Sequence, residues 1–232
     1  MDFIGRLKVC TSVYASSIDL LETRISDALS WGSDLVEIRT DYLAKIDEAK
    51  LKRVIGINID KCVMTCRPSN ERGQFRGNET IRRQWLMRMA EMQPAFLDIE
   101  LETAIDIPEH LSKLPIRDKG LIISWHNLDE TPSISNLQMI MEKAGLLGSH
   151  VKIVTRANSL ADNLKILSLY KNFEQGKLIA FCMGEKGMLS RVLCPLAGSP
   201  FTYASLKGMG VAEGQIPINE LRRIYDSIQV DS

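Results

Sequence analysis

The chain has 232 residues, 45% of them hydrophobic and 25% charged, which suits one large α/β domain or two small ones. Lys+Arg and Asp+Glu number 29 each, and without a basic tract a nucleic-acid partner has no electrostatic support. No apolar run approaches the roughly 18 residues of a membrane span, and residues 1–6 lack the layout of a secretory signal, so a cytoplasmic protein with no membrane partner is expected.

Short apolar runs alternate with amphipathic stretches along the whole chain. Strands are predicted over residues 7–13, 34–38, 61–66, 95–101, 120–125, 150–155, 177–183 and 201–204. Helical spacing falls between them, at 18–30, 78–92, 133–144, 159–170 and 218–228, with weaker patterns at 49–55, 108–114 and 188–194. Thr131-Pro132 reads as an N-cap followed by a proline at the first helical position, Gly145 as the residue after that helix, and Pro217 as the start of the last one. This βα rhythm, without a linker or a composition shift, predicts a single-domain α/β (β/α)8 TIM barrel over residues 1–232. The competing doubly wound sheet lacks its GxGxxG after the first strand. Of the five cysteines, Cys10, Cys62, Cys66 and Cys182 sit in apolar runs, and Cys194 adds no CxxC pair. That is core usage in a reducing compartment, with no metal site expected.

The sixth strand carries an ammonium among apolar neighbours, His150-Val151-Lys152-Ile153-Val154. Burying it unpaired costs several kcal/mol, on the order of a lost ion partner. Either the lysine reaches a strand end or a carboxylate, or chemistry needs a reactive amine. Parity extends the pattern, since alternate strand residues face opposite ways. Glu37, Arg39 and Asp41 share one side of their strand, Asp98 and Glu100 share one side of theirs, and Ser124 and His126 share one side of the fifth. Four strands thus send polar groups to one place, the C-terminal mouth where barrel active sites lie. A structural ion network remains an alternative for members such as Asp98. His126 ends a strand before a polar loop, whereas His110 and His150 read as structural.

Three loops add to this set. Arg67 and Glu71 lie four apart in a polar segment over 67–78 that is a candidate lid, Ser190 and Arg191 follow a glycine-containing turn suited to an anion, and Gln215 ends a glycine-rich final loop.

The segments Glu37-Ile38-Arg39-Thr40-Asp41, Thr65-Cys66-Arg67 with Glu71, Asp98-Ile99-Glu100, Ser124-Trp125-His126-Asn127, Val151-Lys152-Ile153, Met183-Gly184 with Ser190-Arg191, and Ala212-Glu213-Gly214-Gln215 together resemble the type I 3-dehydroquinate dehydratase family. The resemblance implies a Schiff-base lyase of the shikimate pathway and aromatic amino-acid biosynthesis, acting on 3-dehydroquinate, with no cofactor and a homodimeric assembly. It implies that Lys152 forms the imine, His126 transfers protons and Glu71 assists. Ser12, Glu37, Arg39, Arg67, Arg191 and Gln215 then hold the substrate's hydroxyls and carboxylate. The lysine is expected to be freed of its proton by desolvation and by cations such as Arg39 and protonated His126. One departure stands out: many bacterial members carry Ser-Ala-Pro-Gly-Gln where this chain has Val211-Ala212-Glu213-Gly214-Gln215, which removes a serine contact. A class I aldolase, or a barrel that binds a carboxylated metabolite without turnover, remains open from the residues alone.

Overall fold

The computed structural model describes residues 6–210 and 212–228. The first five residues, on which part of the leader reading rests, and Val211, where the serine contact was expected to be missing, lie outside the described residues.

Eight strands alternate with helices: β1 Val9–Tyr14, β2 Leu35–Arg39, β3 Cys62–Thr65, β4 Phe96–Glu100, β5 Leu121–Asn127, β6 His150–Arg156, β7 Leu178–Met183 and β8 Thr202–Ser205. All pair in parallel, in the order β7-β6-β5-β4-β3-β2-β1-β8, and they form a nearly closed (β/α)8 barrel of a single domain. β7 and β8, the two ends of this order, meet through side chains: the rings of Phe181 and Tyr203 lie 5.9 Å apart.

The register explains why the parity argument works. Glu37 of β2 is level with Ser12 of β1, Glu100 of β4 with Ser124 of β5, and Ser124 in turn with Lys152 of β6. One face of every strand points into the barrel, so these residues form interior layers. Below them the interior is apolar, with Cys10, Leu35, Val63, Ile122, Ile179 and Phe201 packed together. The opposite strand face meets the helices in a second, larger cluster that includes Val36, Ile38, Leu97, Ile123, Val151 and Ile153. Each fully buried aliphatic side chain there contributes about 1.5–3 kcal/mol relative to exposure.

Helix Ile18–Ser30 matches its predicted span. Its apolar stripe, Ile18, Leu21, Ile25 and Ala28, is buried, Ser17 caps it by accepting from the Leu20 N–H, and Gly32 turns the chain away at a φ of +89°. Helix Ile218–Ile228 also matches, and its buried Arg222 ties the chain's two ends together through the Leu7 and Gly32 carbonyls at 2.8 and 3.0 Å and an ion pair with Asp34. Other boundaries differ. Ser133, not Thr131, caps helix Ile134–Gly145, by accepting from Asn136 N–H, and Gly145 is that helix's last residue. Thr131 instead turns to the helix-facing side of the sheet, its hydroxyl 2.7 Å from the Arg156 carbonyl. The 159–170 pattern splits into an α-helix over Ala161–Leu167 and a 3-10 turn over Ser168–Asn172. An unexpected short helix, Leu101–Asp106, follows β4 directly. All five cysteines are free and buried.

Candidate active site

Ser12, Glu37, Arg39, Arg67, Glu71, His126, Lys152, Arg191 and Gln215, the nine residues singled out from sequence, all line one cavity at the C-terminal mouth of the barrel. Strand parity brings Ser12, Glu37, Arg39, His126 and Lys152 there, the loops after β3 and β8 bring Arg67, Glu71 and Gln215, and helix Met188–Ala197 after β7 brings Arg191.

At its floor Lys152 Nζ donates to three acceptors: Asp98 Oδ2 at 2.9 Å, Tyr203 OH at 3.1 Å and Glu37 Oε1 at 3.4 Å. Its nearest charged partners are therefore carboxylates, not the cations expected to strip its proton. The lysine is thus paired with carboxylates, the first of the two alternatives its burial left open. Burial works against ionised Asp98, yet the Arg67 guanidinium and the Lys152 ammonium hold its carboxyl well below the usual range. Glu37 is likewise lowered despite burial, by Lys152 and Arg39, with its other oxygen accepting from Ser12 Oγ at 2.6 Å.

His126 Nδ1 lies 2.8 Å from Glu71 Oε2. Burial and then Arg67 push the imidazole below the ordinary histidine value, while Glu71 pulls the other way. The resting ring is therefore neutral near pH 7, suited to a base rather than to a fixed cation beside the lysine. Glu71 stays ionised, because His126 and Arg67 outweigh its burial.

The three arginines differ sharply. Arg39 is clamped by both oxygens of Asp41, at 2.9 and 2.7 Å. Arg67 spends its guanidinium on Asp98, Glu100 and Ser124, at 2.9, 2.8 and 2.8 Å, so it frames the site more than it reaches into it. Behind it Arg82 holds the second Glu100 oxygen at 2.6 Å. Arg191 is buried over the Phe181 ring, and its Nε and Nη2 have no hydrogen-bond partner among the described residues. Burial lowers it to about 10. An unpaired buried guanidinium is costly, and it is a ready receptor for a carboxylate.

Two loops form the rim. Gly73 N–H bonds to the Pro68 carbonyl at 2.9 Å and Gln74 N–H to Asp41 Oδ2 at 2.9 Å, which fold the segment carrying Glu71. Gly214 has a φ of +77°, and a Cβ on it would meet the Gly184 carbonyl oxygen at 2.4 Å. Only glycine lets the Gln215 loop sit against the turn after β7. Gln215 Nε2 reaches Ser12 Oγ at 3.5 Å.

Sequence reasoning gave no role to Tyr203, Phe181, Val154, Leu128 or Arg72, which also line this wall. The first three share the interior parity of their strands, which was visible, but nothing in an apolar or aromatic strand residue marks it as lining a cavity.

A barrel whose mouth gathers a buried amine, a carboxylate-paired imidazole and a buried guanidinium around one cavity suits amine chemistry on a carbonyl compound that carries an anionic group. Known proteins narrow this class. A model of the type I 3-dehydroquinase family matches residues 9–232. The 3-dehydroquinate dehydratase of Dehalococcoides mccartyi strain BAV1 is 39% identical over 202 residues, covering 86% of this chain and 88% of its own. That of Methanocaldococcus jannaschii is 35% identical, covering 83% and 86%. The crystal structure of 3-dehydroquinate dehydratase from Geobacillus kaustophilus superposes with a TM-score of 0.83 at 24% identity, over 97% of this chain and 92% of that one, a likeness of fold. This chain belongs to the type I 3-dehydroquinases, the Schiff-base lyases of the shikimate pathway.

Proposed function

We propose that Lys152 and His126 carry the dehydration of 3-dehydroquinate in this chain. Lys152 Nζ, once neutral, attacks the ketone carbon, and the carbonyl oxygen leaves as water to give an iminium. His126 removes a proton from the adjacent carbon, and the C–H pair flows into the C=N bond as an enamine. The enamine pushes out the hydroxyl on the next carbon, which takes the proton now on His126 and departs as water. A single imidazole serving both steps makes the elimination syn. Hydrolysis of the conjugated iminium releases 3-dehydroshikimate and the free lysine. The iminium is itself the electron sink, so the scheme needs no cofactor.

Arg191 takes the substrate carboxylate, Glu71 orients His126, and Ser12, Glu37, Arg39, Arg67 and Gln215 hold hydroxyls. The observation that carries this reading is the buried Arg191 guanidinium, two of whose nitrogens lack a partner among the described residues, in the same cavity as Lys152 and His126. The test is His126→Ala: borohydride with substrate still traps an imine, while turnover falls by a factor on the order of 100 or more. Undiminished turnover removes the acid/base role.

We further propose that residues 1–232 act as one catalytic domain, that the flux is toward aromatic amino acids, and that the enzyme works as a cytoplasmic homodimer. Five free buried cysteines support a reducing compartment. Exposed Leu160, Leu164, Met188 and Leu189, carried by the neighbouring helices after β6 and β7 or just before them, support self-association.

A further inference from the structure

Tyr203 is absent from the sequence motifs and from the roles assigned above, yet it touches the nucleophile twice. Its hydroxyl accepts from Lys152 Nζ at 3.1 Å, and the face of its ring lies 4.1 Å from the same nitrogen. The ring is fixed by aromatic neighbours, with Phe201 at 5.6 Å and Phe181 at 5.9 Å between centroids, and the residue is only 3% exposed. Burial, with Glu37, Cys10 and Asp98 nearby, pushes the phenol well above its usual range, so it remains a neutral acceptor.

An ammonium has three N–H donors, and here each has one partner. They are unequal. Asp98 is fully buried at 2.9 Å and Tyr203 is held rigidly at 3.1 Å, whereas Glu37 lies at 3.4 Å, long for such a bond, and already receives Ser12 and Thr65. When the ammonium passes one proton to solvent water in the cavity, the bond surrendered at least cost is the one toward Glu37, on the cavity wall.

We propose that Tyr203 is a positioning residue for the Schiff-base steps: together with Asp98 it holds two N–H bonds of Lys152, so that the lone pair of the neutral amine faces the cavity. Attack then proceeds as described above, with the lone pair forming the C–N bond and the C=O π pair moving to oxygen. After the imine forms, the cationic nitrogen stays over the tyrosine ring, which attracts an iminium as it does an ammonium. Proton abstraction at the adjacent carbon belongs to His126 and does not involve the phenol. The role rests on Lys152 being the Schiff-base residue.

Tyr203→Phe keeps the ring and its packing and removes only the hydroxyl. Rapid-quench borohydride trapping under single-turnover conditions with 3-dehydroquinate separates two rates, imine formation and conversion of formed imine to product, and the adduct amplitude counts folded sites. The expected result is imine formation slowed about tenfold or more per site, with conversion of formed imine changed less than about twofold. Wild-type imine formation in Tyr203→Phe overturns the proposal. So does equal slowing of both steps, which marks general damage. Failure of the underlying reading looks different: wild-type enzyme then gives no adduct on Lys152.

Discussion

The Nδ1 of His126 and the Oε2 of Glu71 are 2.8 Å apart, which puts the ring proton on Nδ1 and leaves Nε2 as the basic atom. Glu71 raises an imidazole that burial and then Arg67 lower. Neutralising it in Glu71→Gln therefore moves the acidic limb of the kcat profile to lower pH, not higher. The expected kcat at pH 7.5 falls about tenfold to a hundredfold, because a less basic imidazole is a poorer proton acceptor. A pH–rate series on the two enzymes checks both, and a limb displaced upward contradicts the pairing.

Arg191 should behave oppositely in the free and the liganded enzyme. Its Nε and Nη2 are buried without partners among the described residues, so Arg191→Met removes an uncompensated burial cost and raises the thermal midpoint of the free enzyme. The same change removes the carboxylate receptor, and KM rises by at least about a hundredfold, as for a lost charge-assisted bidentate contact. Thermal unfolding with and without substrate reads both signs. A variant that loses stability and keeps its KM rules out the anion role.

His150 gives a test of folded-state electrostatics away from chemistry. It sits at the bottom of the barrel, edge-on to Phe96 at 5.1 Å, and burial followed by nearby Lys177 lowers it to about 4. An unfolded histidine takes up its proton near pH 6.5. Between pH 6.5 and about 4 the unfolded chain therefore binds the extra proton, and stability falls as pH falls through that window. Above it the residue contributes nothing to the pH dependence. Denaturant unfolding of wild type and His150→Gln from pH 7 to pH 4 should show a difference in slope that sums to about 1–3 kcal/mol, discounted for partial exposure. Parallel curves contradict the burial assignment.

Much of this is legible in the sequence alone. Period-2 parity placed Glu37, Asp98, Ser124, His126 and Lys152 on one interior surface, because a parallel register of level residues turns parity into layers. Boundary chemistry was less secure. Thr131-Pro132 reads as a cap, but Ser133 takes that place because the Thr131 hydroxyl is engaged by Thr155 and the Arg156 carbonyl on the helix-facing side of the sheet. Least legible was the state of each charge. Arg39, Arg67 and Arg191 are alike as letters, and only tertiary pairing makes two of them satisfied and leaves donors of the third without a partner among the described residues. Carboxylates, rather than cations, surround Lys152 for the same reason: Asp98 and Glu37 arrive from strands distant in sequence. Tyr203 was hidden because an aromatic residue at an interior strand position reads as core.

The most direct measurement is peptide mapping of the adduct formed when borohydride is added to enzyme and 3-dehydroquinate. A reduced adduct on Lys152, present in wild type and absent from Lys152→Ala, is the expected result. An adduct on any other lysine, or one that survives Lys152→Ala, contradicts the assignment of this buried amine as the nucleophile.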